Sequence, residues 1–319
     1  MKRTRINTIL SSEKTLDTVL IKAWVRTRRD AKTFSFIELN DGSCLNNIQV
    51  IADDQLENYE QIKKLSTGSS VSITGTLHES PGKGQKWEIH AITVDIINIA
   101  PDDYPLQKKR HTDEFLRTIS HLRPRTNKYG AAFRIRSKLS YAIHKYFQDL
   151  GFTYVHTPIL TGSDCEGAGE LFQVTSLDLD DLPKTDGKTD YQNDFFGKTA
   201  NLTVSGQLEG EMFALALGDI ATFGPTFRAE NSNTSRHAAE FWMVEPEVAF
   251  NDLDANMDLS EDFIKYILAY ILEHCKDDLE FLEKRLLDEE KSKPAVERSD
   301  MPLREKLKFV IDNNFKRVS

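Results

Sequence analysis

The chain has 319 residues, with 41 Lys and Arg against 50 Asp and Glu, and a formal net charge of −9. That length can bury two cores without disulfides or a structural metal. A net negative chain has no bulk attraction for nucleic acid, so any RNA contact must come from local basic patches. Cys44, Cys165 and Cys275 lack CxxC spacing, which argues against a zinc ribbon or a secreted disulfide framework; they read as packing residues in a reducing, cytoplasmic setting. The basic start, Met1 to Leu10, runs into Ser11, Ser12 and Glu13 with no apolar segment. No later stretch reaches the length of a membrane span, so no membrane partner is expected.

From about Leu20 to Ile99, five short runs alternate apolar and polar residues: Val19 to Val25, Thr33 to Leu39, Asn47 to Ile51, Ser70 to Leu77 and Lys86 to Ile92. Asn-Asp-Gly, Thr-Gly and Pro-Gly-Lys-Gly turn signals separate them, and a helix-like stretch from Leu56 to Leu65 falls between the third and fourth. Five strands in that order predict an all-β OB-fold barrel, an architecture often used for oligonucleotides. Trp24 and Trp87 read as packing residues. A charged, Pro-punctuated connector carrying Lys108 to His111 follows and marks a boundary. The expected partition is a barrel over 1–103, a linker over 104–125 and a second, α+β domain over 126–319.

In that second part, Asn127 to Leu150 reads as an amphipathic helix with Phe133, Leu139, Ile143 and Phe147 near one face, ended by Gly151. A strand, Phe152 to Val155, is stopped by Pro158. The polar segment 177–200 reads as an inserted surface loop, and Leu259 to Leu287 has helical spacing. The charged tail has no stop signal after Phe315, so the chain reads as the amino-terminal portion of something longer.

The most informative stretch is Phe223 to Phe250. Thr226, Arg228 and Glu230 stand two apart, and Phe241, Met243 and Glu245 repeat that spacing after a polar turn, which predicts an antiparallel hairpin carrying charge inward. A guanidinium fork matches phosphate or carboxylate geometry with two bonds, so such a face suits a polyanion. Phe227, Arg228 and Glu230, followed by Ser235, Arg236, His237, Glu240 and Phe241, resemble motif 2 of the class II aminoacyl-tRNA synthetases. The wording Glu240 to Glu247 is similar to the asparaginyl members of the aspartyl, asparaginyl and lysyl subgroup. The resemblance runs from about Val19 to the last residue, and it implies a catalytic domain built on an antiparallel sheet.

It also implies site roles. Arg228 would bridge the amino-acid carboxylate and the α-phosphate of ATP, where charge builds during adenylate formation. Glu230 would accept from the adenine amino group and Phe241 would stack on adenine. Arg236 and His237 would reach the terminal phosphates or the tRNA end. Glu166, in a Gly-rich mobile loop, would pair with the substrate ammonium, and Ser205 and Gln207 would face the amino acid. Ser205 also reads as an ordinary N-cap, and both roles can coexist. Where aspartyl relatives carry a lysine this chain has Gly210, while Glu211 can accept from a side-chain amide and would repel a carboxylate; asparagine is therefore favoured over aspartate.

In the barrel, Phe36 and Gln49 match positions that stack on and hydrogen-bond to an anticodon base, with Arg26, Arg28 and Arg29 at the same strand end. The segment 111–158 resembles the linker and motif 1, which implies a homodimer. Expected ligands are ATP with Mg2+, asparagine and tRNA(Asn). Aspartate activation, including a non-discriminating form, a non-catalytic RNA-binding fragment, and an amidating enzyme resembling asparagine synthetase are the alternatives. The last has no use for an anticodon reader. The family's third motif and the magnesium carboxylates are expected beyond Ser319. The 319-residue chain is accordingly expected to lack adenylate formation, and robust pyrophosphate exchange with asparagine by this piece alone would contradict that reading.

Overall fold

A computed structural model describes all residues except 83, 164, 166–169, 233, 235, 236, 300 and 319. The chain forms two compact units, Met1–Ser137 with Leu272–Lys306, and Lys138–Ile271 with Leu307–Ser319.

The first unit opens with α1 (Ile6–Leu10), then β1 (Leu16–Asp30), β2 (Phe34–Asn40), β3 (Ile48–Asp53), α2 (Tyr59–Ile62), β4 (Ser70–Glu79) and β5 (Trp87–Asn98). The five strands close into a barrel in the order β1-β2-β3-β5-β4. All pairs are antiparallel except β3 with β5. Alternation built this core: Ile37 and Leu39 of β2, Ile48 and Val50 of β3, Ile73 of β4 and Ile89 of β5 are fully buried, while Phe36 and Glu38 of β2 and Gln49 and Ile51 of β3 are partly exposed between them. Helix α1 adds Ile6 and Ile9 to that core, and the Trp87 indole Nε1 donates to the Ser12 carbonyl at 3.1 Å. Trp24, in contrast to the packing role expected of it, is 40% exposed, with the Arg125 guanidinium 5.1 Å from its ring centre.

Helix α3 (Asp113–Thr118) is N-capped by Thr112, whose hydroxyl accepts from the Phe115 N–H. A small cluster of Leu106, Leu116 and Leu122 lies beside it. The long helix α4 (Asn127–Asp149) falls where the periodicity puts it. Ile143 and Phe147 are buried as expected, whereas Phe133 is exposed. Gly151 follows with φ 89, the left-handed conformation that ends helices without a Cβ clash.

The second unit contains β6 (Thr153–Tyr154), β7 (Leu160–Thr161), β8 (Gln173–Val174), β9 (Lys184–Thr185), β10 (Lys188–Thr189) and β11 (Ala200–Leu202), then α5 (Gln207–Leu217), β12 (Asp219–Phe227) and β13 (Glu240–Val248). The hairpin β12-β13 is antiparallel over nine pairs, and β6 adds to it in parallel, Ile220 opposite Thr153. Within the 177–200 insertion, β9 and β10 form a tight hairpin, turned by Asp186 (φ 52) and Gly187 (φ 76), the pair of positive angles that a two-residue hairpin loop favours.

The single helix expected over 259–287 is two: α6 (Leu253–His274) and α7 (Lys276–Glu290), before α8 (Leu303–Asp312). Cys275 leaves the helical region between them at φ −128, ψ 33, with no Gly or Pro to announce it. Under the hairpin, Ile143, Tyr146, Phe147 and Phe152 pack on Ala221 and Phe223, with Phe263 and Ile267 of α6 against them.

Burial predicts a clear stability contrast along β5. Ile89→Ala should cost about 2–5 kcal/mol through lost transfer and a cavity, while Ile97→Ala, 59% exposed, should stay within about 0.5 kcal/mol of the parent. Urea unfolding of both variants measures this; equal effects would contradict the barrel's inside-outside assignment.

Candidate functional site

The hairpin register sets the site. Thr226 pairs with Phe241, Gly224 with Met243, Thr222 with Glu245 and Ile220 with Glu247, so these eight residues share one sheet face. The turn preceding α5 is fastened to that face through one carboxylate. Glu245 accepts from the Ser205 hydroxyl at 2.5 Å, the Gly206 N–H at 3.2 Å and the Thr222 hydroxyl at 3.1 Å. Ser205, only 4% exposed, also accepts from the Gln207 N–H at 3.0 Å, satisfying a first-turn donor of α5. Gly206 is required: a Cβ there would stand 2.6 Å from the Thr157 hydroxyl.

Gln207 and Glu211 lie one turn apart on α5, and the Gln207 amide nitrogen donates to Glu211 at 3.3 Å. Gly210 packs its backbone on the sheet, where a Cβ would meet Glu247 Cγ at 3.6 Å and Thr222 Cγ2 at 3.7 Å. Burial pushes the Glu247 carboxyl above its ordinary range, and the nearby charges of Glu211 and Glu245 push the same way. The junction of α5 with the sheet therefore gathers the carboxylates of Glu211, Glu245 and Glu247.

At the far end of β12, the Phe227 N–H donates to the Thr203 carbonyl at 2.9 Å and the Arg228 N–H to Ala239 at 3.0 Å. The first of these bonds brings the Arg228 strand end beside Thr203, and the second continues the hairpin pairing past Phe227. The Arg228 guanidinium lies 5.5 Å from the Phe241 ring centre, and its Nε is buried with no hydrogen-bond partner among the described residues. A buried donor left unpaired costs free energy unless a ligand acceptor meets it. Glu230 is exposed nearby, as is His237, whose Nδ1 meets the Thr234 hydroxyl. Glu166 and Arg236 lie outside the described residues.

The barrel presents a second, separate face. The Arg29 guanidinium stacks 4.6 Å from the Phe36 ring centre, and Phe34 meets Phe36 edge-on at 4.9 Å. Gln49 stands on the neighbouring outward row of β3, its amide nitrogen donating to Glu88 at 3.3 Å. Arg28 does not join this face. It pairs with the buried Ile37 row, bonds Asp30 at 2.5 Å and donates to the Leu65 carbonyl at 3.0 Å. A β-bulge between Val25 and Thr27 resets which arginines face outward. Arg26 turns to the linker, donating to the Arg125 carbonyl at 2.8 Å, and burial lowers its pKa.

Sequence reasoning assigned no role to Glu245 or Glu247. The two-residue spacing that continues from Phe241 through Met243 was their available signal. Among the described residues no group of three His, Cys, Asp or Glu side chains converges to hold a metal, and no helix is long and apolar enough to cross a membrane.

The family described as class II tRNA synthetases (D, K and N) matches residues 112–318, and an OB-fold nucleic acid binding domain matches 19–97. The asparagine--tRNA ligase of Oleidesulfovibrio alaskensis is 58% identical over 291 residues, covering 90% of this chain and 63% of its own length. That of Nitratidesulfovibrio vulgaris is 55% identical, covering 100% of this chain and 67% of its own. The chain thus spans about two thirds of these relatives. Among solved structures, asparaginyl-tRNA synthetase from Pyrococcus horikoshii with asparaginyl-adenylate superposes with a TM-score of 0.74 at 26% identity, over 88% of this chain and 61% of that one.

The raised Glu247 pKa carries a pH signature. Its unfolded carboxyl ionises first as pH rises, so the native state is penalised from about pH 4.3 upward, fully once pH exceeds the folded value. Glu247→Gln should raise the melting temperature more at pH 7 than at pH 4; an equal shift at both would show that Glu247 carries no such penalty.

Proposed function

Because this chain belongs to the class II tRNA synthetases of the D, K and N group, we propose that its complete form is an asparagine--tRNA ligase, activating asparagine with ATP and transferring it to tRNA(Asn). The observation that carries the reading is the Arg228 guanidinium, set against an aromatic ring with a buried, unpaired Nε at the end of β12.

In this reading Arg228 holds the α-phosphate and the attacking asparagine carboxylate together, offsetting their mutual repulsion and the charge that develops on phosphorus. Phe241 stacks on the adenine ring, Glu230 accepts from its exocyclic amine, and His237 with Arg236 meets the outer phosphates. Ser205 and Gln207 line the amino-acid end, and Glu166 takes the ammonium. ATP arrives as a magnesium complex. The described residues offer no carboxylate cluster that fits a resident ion, so no step is assigned to one here.

Amino-acid choice rests on α5. Glu211 accepts from a carboxamide and repels a carboxylate, and Gly210 leaves no cation to invite one. The acidity of this junction, marked by the raised Glu247, favours the neutral side chain. Aspartate activation is the second reading, since the aspartyl relatives share the fold. The barrel, with Arg29 over Phe36, supplies a stacking platform for an unpaired anticodon base. The domain partition at 103 and 126, dimerisation through the motif 1 helix, and a cytoplasmic setting complete the reading.

Two kinetic outcomes test it in a chain completed to the length of its relatives. Arg228→Ala should cut asparagine-dependent pyrophosphate exchange about 10²- to 10³-fold. The pair Gly210→Lys with Glu211→Gln should shift the preference toward aspartate by about tenfold or more. Undiminished exchange in the first variant, or greater exchange with aspartate by the unmutated enzyme, would overturn the assignment.

A further inference from the structure

Two aromatic residues that periodicity assigns to packing, Trp24 and Phe133, are 40% and 49% exposed. Both line one cavity of about 390 Å³, whose walls all belong to the first unit. That volume falls in the range of about 300–1,000 Å³ usual for small-ligand sites. Tyr104 is a third aromatic wall. A Cβ on Gly68 would stand 2.6 Å from the Tyr104 ring, so the ring lies directly on backbone that glycine leaves bare.

Three arginines complete the lining: Arg26, Arg125 and Arg134. Arg26 Nη1 donates to the Arg125 carbonyl at 2.8 Å, and Arg125 Nη1 donates to the Tyr104 hydroxyl at 3.2 Å. Both of those acceptors are neutral. Arg134 differs, because Asp278 accepts from its Nε at 3.0 Å and its Nη2 at 2.6 Å. Burial lowers the Arg26 pKa, and the charges of Arg125 and Arg134 push the same way. Two guanidiniums bonded only to neutral acceptors, beside a third, form a half-buried concentration of positive charge that an anion stabilises.

The chemistry of that anion follows from the walls. Arg125 lies 5.1 Å from the Trp24 ring centre, so cation and ring are adjacent. A ligand that uses both carries a planar ring and a charged group a few bonds apart. Guanidinium forks match phosphate oxygens in two bonds at once, and the two uncompensated arginines balance the charge of about −2 on a phosphate monoester. Aromatic walls hold a nucleobase by its π-face. The volume holds one nucleotide, and the net charge of −9 opposes a longer polyanion.

We infer that this cavity binds a free nucleoside monophosphate, with its base against the aromatic walls and its phosphate on Arg26 and Arg125. The inference is independent of the hairpin, none of whose residues lines the cavity.

Isothermal titration of the 319-residue chain with CMP, cytidine and inorganic phosphate tests it. CMP should bind with a Kd of about 0.1 mM or tighter, and cytidine and phosphate should each bind at least about tenfold more weakly, since each keeps half of the contacts. Arg125→Gln and Trp24→Leu should each weaken CMP about tenfold or more. Arg228→Ala, on the hairpin, should leave the CMP affinity within about twofold. No binding of CMP up to about 5 mM, phosphate binding as tightly as CMP, or full affinity in Trp24→Leu overturns the inference. Loss of CMP binding in Arg228→Ala alone places the nucleotide on the hairpin and overturns it as well. Should Arg125→Gln fail to fold, the indole N–H resonances of the parent decide: that of Trp24 must shift as CMP is added, and a shift confined to Trp242 refutes the site.

Discussion

One carboxylate joins the two halves of the candidate pocket. Glu245 stands on the hairpin, yet its acceptors are taken by Ser205 and Gly206, some forty residues earlier in the chain, and by Thr222 across the ladder. Three donors to a single side chain fix the α5 turn at a set height above the sheet. Three of the residues assigned to amino-acid recognition, Gln207, Gly210 and Glu211, are carried on the helix that this turn launches. The nucleotide end, Arg228 and Phe241, is carried on the same two strands. The Phe227 N–H bond to the Thr203 carbonyl adds a second tie at the nucleotide end.

The same economy appears in the barrel. A buried glutamate on an outward face is costly unless it is hydrogen-bonded, and Glu88 is bonded by Ser80, Gln85, His90 and Gln49. In both units a held carboxylate sets the orientation of polar groups around it.

Much of this was legible in residue order because alternation and turn chemistry are local. The five barrel strands, the long helix ending at Gly151, and the hairpin with Arg228 and Phe241 all follow from spacings of two or near four. The rest depended on contacts or offsets that no window contains. Arg28 is the arginine that the sequence assigns to the Phe36 face, but with a bulge near Thr27 it is Arg29 that pairs with and lies over Phe36. The break at Cys275 has neither Gly nor Pro to mark it. Glu245 and Glu247 lay on a correctly read face, but their partners come from a segment distant in sequence, so their roles emerged only when α5 was in place. Trp24 followed strand periodicity and yet lies exposed beneath Arg125, a connector residue far along the chain.

The central claim is that the Arg228 guanidinium sits between the nucleotide and the amino acid, above a turn held by Glu245. A crystal structure of the completed chain with a non-hydrolysable asparaginyl-adenylate analogue measures this directly. The account predicts the Arg228 fork within hydrogen-bond distance of both the phosphate oxygen and the former carboxylate, with the Ser205, Gly206 and Thr222 bonds to Glu245 unchanged. An analogue bound away from Arg228, or a Glu245 released from the turn and turned to the ligand, would contradict it.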